Sequence, residues 1–121
     1  EIAEKRRGAT QFCLICADKK KSAQALSHLC SICTNTREEA ISALFAIEGA
    51  FRDLCLLKKS ADAPLLFFTD REYAAELSDR YPLRRLMLFS EEIASAISAL
   101  EKNMNVRLTL MSLLSRTGMM D

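Results

Sequence analysis

The chain has 121 residues, half of them apolar, and a net charge of +1. This size and composition predict one compact unit with a single hydrophobic core. No run of about 18 apolar residues occurs, so the sequence predicts no membrane-spanning segment and no membrane partner. The charge is uneven: residues 1–36 carry six basic and three acidic side chains (+3), and the remainder carries eleven basic and thirteen acidic ones (−2).

Four of the five cysteines form two matching pairs, Cys13-Leu-Ile-Cys16 and Cys30-Ser-Ile-Cys33, with thirteen residues between them. Two Cys-x-x-Cys motifs at this separation can place four thiolates around one zinc ion. The sequence therefore predicts one structural Zn²⁺ per chain, with no open coordination position for catalysis. A disulfide framework needs an oxidising compartment, and the odd cysteine count and lack of an apolar leader favour an intracellular protein. An iron–sulfur cluster and a redox dithiol stay open as alternatives.

Basic residues flank the first cysteine pair on both sides. The two clusters are Lys5, Arg6 and Arg7 before it, and Lys19, Lys20 and Lys21 after it. Basic clusters on a zinc module can contact phosphates, so nucleic acid is an alternative partner. Phe12 is the only aromatic residue nearby, so the sequence gives no sign of a surface on which bases would stack.

A long helix follows the second cysteine pair. Thr36-Arg37-Glu38-Glu39 has the pattern of a capping box, and apolar residues then recur at helical spacing to about Lys59. Cysteines that lead directly into a helix are typical of treble-clef zinc sites. We therefore predict a zinc-binding module over residues 1–36 and a connecting, dimerising helix over residues 37–60.

The residues after Pro64 predict a small βαβαβ unit over residues 61–121. Residues 65–68 and 86–89 are short apolar runs typical of buried parallel strands, and residues 106–110 alternate in polarity. Capping signals at Thr69 and Ser90 predict the intervening helices, the first of which ends at Pro82. The predicted fold class is therefore α+β. A zinc module on an all-helical bundle is the alternative, and residues 108–121 fit either strand or helix.

Acidic residues follow the predicted strands at Asp70, Glu72, Glu91 and Glu92. At one edge of a parallel sheet they would suit a divalent metal and a metal-dependent enzyme. Each also lies in the first turn of a predicted helix, where carboxylates cap the helix and match its dipole. Capping is the favoured interpretation, and the sequence predicts that the chain is not an enzyme.

Surplus apolar residues predict contact with another copy of the chain. The predicted interface residues on the long helix and in the C-terminal segment are Ile41, Leu44, Phe45, Phe51, Leu110, Leu113 and Leu114.

Two resemblances to known protein families suggest where in the cell the protein acts. The cysteine spacing resembles the first zinc module of nuclear-receptor DNA-binding domains, although the second module and the basic recognition helix are absent. Residues 50–55 (AFRDLC) resemble the aromatic–Arg–x-x-Cys stretch in the dimerising helix of the zinc-finger-associated domain of insect transcription factors. These resemblances imply a nuclear, transcription-related protein.

The predicted function is a zinc-stabilised protein-interaction module, homodimeric, within a larger nuclear regulatory protein. The chain begins with Glu1 rather than Met, which favours a piece of a longer protein. A nucleic-acid-binding zinc module is the alternative function, and an enzyme that uses the acidic sheet edge ranks third.

Overall fold

The computed structural model describes residues 2–33 and 36–120, which form six α-helices and one short 3-10 helix. The α-helices are α1 (Ile2–Cys16), α2 (Ser22–Ile32), α3 (Arg37–Lys59), α4 (Arg71–Asp79), α5 (Leu83–Glu101) and α6 (Val106–Arg116), and the 3-10 helix is Lys19–Lys21. α3 is the central helix and packs against α1, α4 and α5, while α6 packs on α5 and α2. None of the described helices combines the length and the apolar character needed to cross a membrane.

The predicted α+β fold is wrong, because the described residues contain no strand and no sheet. Residues 86–89 lie inside α5, residues 106–110 begin α6, and residues 65–68 belong to an irregular connection between α3 and α4. The regular structure of the described residues is all helix, which agrees with the helical-bundle part of the alternative prediction. Without a sheet in the described residues, the acidic residues after the predicted strands have no sheet edge to share.

The burial pattern of α5 explains the error over residues 86–89. The buried positions of α5 are Leu86, Phe89, Ile93, Ala96, Ile97 and Leu100. These positions recur every three or four residues, as on one face of a helix. Met87, within the same apolar run, is half exposed. Four residues show only a continuous apolar run, whereas the helical spacing of the buried positions becomes visible over fifteen residues.

The treble-clef prediction is also wrong, because each cysteine pair lies on helix rather than in a tight turn. Cys13 and Cys16 are in the last turns of α1, and Cys30 and Cys33 are at the end of α2. Positions three residues apart share one face of a helix, so the Cys-x-x-Cys spacing also suits two small buried residues on one helical face.

Local capping sets the helix ends. Thr36 begins α3 as predicted, and its hydroxyl accepts the Glu39 N–H at 3.1 Å. α4 begins one residue later than predicted, because Asp70 rather than Thr69 accepts the Tyr73 N–H at 3.1 Å. α5 begins after Pro82, so Ser90 is internal to the helix instead of capping it.

Four buried aromatic side chains join three helices at the centre of the bundle. Phe51 of α3 and Phe89 of α5 stack with ring centroids 4.7 Å apart. Phe12 of α1 and Tyr81 of the α4–α5 turn meet Phe51 edge-on at 6.4 and 5.6 Å. Pairs of this kind contribute about 0.5–1.5 kcal/mol each beyond area burial. The cluster therefore fixes α1 and α5 against the central helix.

A single buried carboxylate organises the connection between α3 and α4. Asp53 of α3 is 1% exposed and accepts the backbone N–H groups of Leu66, Phe67 and Phe68 at 3.1, 2.8 and 2.9 Å. The guanidinium of Arg6 donates to the Phe67 carbonyl and lies 5.3 Å from the centre of the Phe67 ring. The apolar run that predicted a strand is therefore held by side chains from α3 and α1.

Candidate functional site

Two surface grooves each carry two exposed large apolar side chains, and exposed Phe45 lines a third groove beside α3. The large hydrophobic side chains that are exposed in the described residues are Phe45, Leu66, Leu83, Met87, Met104 and Leu108. Leu83 and Met87 line a groove at the start of α5, here named the α4–α5 groove. Met104 and Leu108 line a second groove where α5 meets α6, here named the α5–α6 groove.

The α5–α6 groove is an apolar cleft of about 360 Å³. Its floor includes Ala96 and Ala99 of α5, and Met104 and Leu108 at its rim are 56% and 66% exposed. Met104 lies in the turn before α6, and Leu108 lies in the first turn of α6. Asn103 takes a left-handed conformation (φ 67°) after α5 ends.

Polar groups complete the α5–α6 groove. The Asn105 side chain begins α6 by accepting the Leu108 N–H at 2.9 Å. At the far end, Arg116 Nε lies 4.0 Å from a carboxylate oxygen of Glu92 and 3.2 Å from the Ser112 hydroxyl. The groove thus combines an apolar rim with one acidic and one basic side chain.

The α4–α5 groove is larger, about 790 Å³, and strongly basic. Its residues are Ala17, Lys19, Arg80, Pro82, Leu83, Arg84, Arg85, Met87, Leu88 and Glu91. Four basic side chains and one carboxylate give this lining a net charge of +3. Leu83 and Met87 are 40% and 50% exposed between the charged groups.

Arg85 builds the wall of the α4–α5 groove. Its guanidinium donates to the carbonyls of Cys16 and Thr117, at 3.0 and 2.7 Å, and lies 4.9 Å from the centre of the Phe89 ring. Cys16 ends α1 and Thr117 follows α6, so both carbonyls lie at helix C-termini, where cations are favoured. Gly118 permits this turn through its left-handed φ of 79°. Arg85 therefore ties three parts of the chain together at the groove.

The two cysteine pairs lie in different surroundings. Cys13 and Cys16 are fully buried, and the carbonyl of Cys13 accepts the Tyr81 hydroxyl. Cys30 and Cys33 lie beside α6 and line a cleft with Arg37. Burial raises the pKa of Cys13 well above its ordinary value. Burial also raises the pKa of Cys16 and of Cys33 to about 12, so these thiols are protonated at neutral pH.

The arrangement of these thiols bears on metal binding. Within residues 2–33 and 36–120, no three His, Cys, Asp or Glu side chains are grouped so that they could hold a metal ion. In the structure the four thiols are not gathered around one point. Structural zinc stays a prediction of the cysteine spacing, and metal analysis tests it.

The two predicted nucleic-acid clusters lie beyond opposite ends of the buried part of α1. Lys5, Arg6 and Arg7 are exposed near its start, whereas Lys19–Lys21 form the 3-10 helix after its end. At 1.5 Å per residue, positions 6 and 16 alone are about 15 Å apart. The two clusters are therefore separated along α1, and Lys19 lies in the α4–α5 groove.

Most of the predicted interface residues lie inside the single chain. Buried positions are Leu44, Phe51, Leu110, Leu113 and Leu114. Ile41 is partly buried and packs against the core, and Phe45 is 52% exposed. The exposed apolar residues of the two grooves are not among these predicted interface residues. Two features nevertheless mark the α4–α5 groove. Met87 is an apolar residue outside the buried face of α5, and Arg84 and Arg85 are cations in the first turn of that helix.

No protein-family model, no curated protein and no solved structure matches the chain.

Proposed function

We propose that this chain is a protein-interaction module that self-associates as a homodimer through the α5–α6 groove. The exposure of Met104 and Leu108 beside an apolar cleft is the observation that carries the proposal. Burying a side chain of this size stabilises a complex by about 1.5–3 kcal/mol when burial is complete. Both are more than half exposed in the monomer, so an interface would recover a substantial part of that amount.

The charges of the α5–α6 groove suit a second copy of the same surface. In a two-fold dimer each contact occurs twice, with the partners exchanged. The groove carries Glu92 and Arg116 at one end, so a rotated copy can place an acid opposite a base while Leu108 enters the apolar cleft. A surface of a single charge sign would repel itself. With few apolar anchors and the entropic cost of association, we expect a dimer of micromolar affinity.

Sedimentation velocity over a micromolar concentration series tests this proposal. We expect the wild-type protein to shift from monomer to dimer, and the Leu108→Asp variant to stay monomeric because it places a charge in the cleft. Leu66→Asp is the matched control, since Leu66 is equally exposed at 67% but lies outside both grooves. Equal weakening by both substitutions would contradict the proposed interface.

Zinc stabilisation and a nuclear setting belong to this proposal only as predictions of the cysteine spacing and the resemblances. Self-association through the α5–α6 groove requires neither zinc nor a nuclear setting.

A further inference from the structure

We infer that the α4–α5 groove is a second docking surface, which binds an acidic amphipathic helix of another protein. The linings of the two grooves meet at the consecutive residues Glu91 and Glu92 of α5. Their exposed apolar residues are separate: Leu83 and Met87 lie in the first half of α5, whereas Met104 and Leu108 lie beyond its end. The apolar anchors of a partner and of a second copy would therefore occupy different parts of the surface.

The apolar residues of the α4–α5 groove have the spacing that a helical partner requires. Leu83 and Met87 are four residues apart on α5 and so project from the same side, about 5–6 Å from each other. Both are substantially exposed, and Ala17 and Pro82 border the same cleft. Helices bind such clefts by inserting apolar side chains that recur every three or four residues.

The charges of the groove select an acidic partner. Lys19, Arg80 and Arg84 are exposed, and none of the four groove cations lies within 4 Å of a carboxylate among the described residues. Glu91 is the single acid in the lining. Acidic residues along the flanks of a bound helix would pair with these cations and would steer its approach.

The cations in the first turn of α5 interact unfavourably with the dipole of that helix. The first turn of a helix favours acidic residues because of the helix dipole, yet the first turn of α5 contains Arg84 and Arg85 and no acid. Pro82 precedes it and supplies no side-chain cap. Local rules are broken in this way mainly at functional sites. Arg85 has a structural role in the wall of the groove, but exposed Arg84 has no such role among the described contacts.

Other occupants fit the groove less well. A second copy would bring two +3 surfaces together in an isologous contact, which like charges oppose. Nucleic acid would satisfy the cations through its phosphates but would leave Leu83 and Met87 without apolar partners. A flat anionic bilayer would not fill a concave cleft of about 790 Å³.

Fluorescence anisotropy with a synthetic helix tests the inference. The probe is a labelled peptide with leucines on one face and glutamates on the flanks, and the comparison peptide keeps the leucines but replaces the glutamates with lysines. We expect micromolar binding of the acidic helix, weaker binding as salt rises, and no saturation by the lysine peptide.

Charge reversal at one position sharpens the test. Arg84→Glu should weaken binding of the acidic helix about tenfold or more. The same substitution puts an acid in the first turn of α5, so the melting temperature should stay unchanged or rise. Loss of binding then cannot be ascribed to unfolding. Arg107→Glu, an exposed arginine near the start of α6 and outside the groove, is the matched control and should bind like the wild type.

Further arms separate this inference from the proposed dimer and from other partners. Leu108→Asp should leave binding of the acidic helix unchanged, so failure of either proposal can be recognised independently. The inference is overturned if the acidic helix fails to bind at low salt, or if Arg84→Glu and Arg107→Glu weaken it equally. It is also overturned if double-stranded DNA or anionic vesicles bind in an Arg84-dependent manner while the acidic helix does not.

Discussion

Replacing Asp53 by alanine should destabilise the protein severely although Asp53 lines neither groove. The carboxylate is 1% exposed and accepts three backbone N–H groups, from Leu66, Phe67 and Phe68. Without it, these donors must find water or stay unpaired, and the connection between α3 and α4 loses its anchor. The apolar residues it holds against the core would then loosen as a unit.

The size of the Asp53→Ala effect follows from the three hydrogen bonds. Bonds to a charged group contribute about 1.5–3 kcal/mol each, which sets an upper limit near the sum of three. Two effects make the net loss of stability smaller than this limit. Removing a buried carboxylate also removes the free-energy cost of its desolvation. In addition, water can reach Leu66, which is 67% exposed, and bind its N–H group. We expect a net loss of about 3–5 kcal/mol, a large share of the total stability of an ordinary domain.

Urea denaturation followed by circular dichroism measures the Asp53→Ala effect. Asp53→Asn keeps the shape and one acceptor oxygen, so it should lose about half as much as alanine. Asp62→Ala removes an exposed carboxylate from the same connection and serves as the control. Hydrogen exchange should show protected amides at residues 66–68 in the wild type and fast exchange in Asp53→Ala. A change below about 0.5 kcal/mol for Asp53→Ala would refute the reasoning.

Three further predictions concern the buried hydroxyl and the thiols. Tyr81→Phe removes the hydroxyl that bonds the Cys13 carbonyl and should cost about 1 kcal/mol in urea denaturation, whereas an unchanged midpoint would show that this bond is not formed. Burial raises the pKa of Cys16 and Cys33 to about 12, so the unfolded chain releases these protons first, from about pH 8.5. Stability should therefore be full at neutral pH and fall as pH rises through the alkaline range, and a denaturation midpoint that stays constant there would contradict this. Finally, the cysteine spacing predicts one bound zinc per chain by metal analysis and loss of the helical circular dichroism signal on chelation, whereas a metal-free chain whose signal survives chelation would contradict the zinc prediction.

Local signals in the sequence were sufficient to predict the central helix. The Thr36 cap and the helical spacing of apolar residues predicted a helix from residue 37 to about Lys59, and α3 spans Arg37–Lys59. The start of α4 differs by one residue, since both Thr69 and Asp70 are good capping residues. These features depend on neighbours within one or two turns, which is why the sequence reveals them.

The predicted strands failed because the structure there depends on distant residues. Residues 65–68 are as apolar as a buried strand, but the N–H groups of residues 66–68 are bound by Asp53, more than ten positions away. In α5 the four-residue run before Ser90 contains buried Leu86 and exposed Met87, which a run of uniform hydropathy cannot reveal. Together with residues 106–110, which begin α6, these two segments account for the wrong fold class.

The cysteine spacing illustrates a different ambiguity. Two cysteines three residues apart can chelate a metal from a tight turn, or they can lie on one face of a helix as small apolar residues. The Cys-x-x-Cys sequence is the same in both cases. Cys13 and Cys16 are buried at the end of α1, against Tyr81 and Arg85. This burial depends on tertiary contacts, which the spacing of the cysteines does not reveal.

A dilution series of ¹H–¹⁵N correlation spectra tests the proposed dimer most directly, because it both detects self-association and locates the surface. We predict that the amide signals of Met104 and Leu108, with their neighbours in the α5–α6 groove, shift progressively with concentration, while those around Leu66 and Met87 stay fixed. Spectra that do not change across the micromolar range, or shifts confined to residues outside the α5–α6 groove, would contradict the proposal.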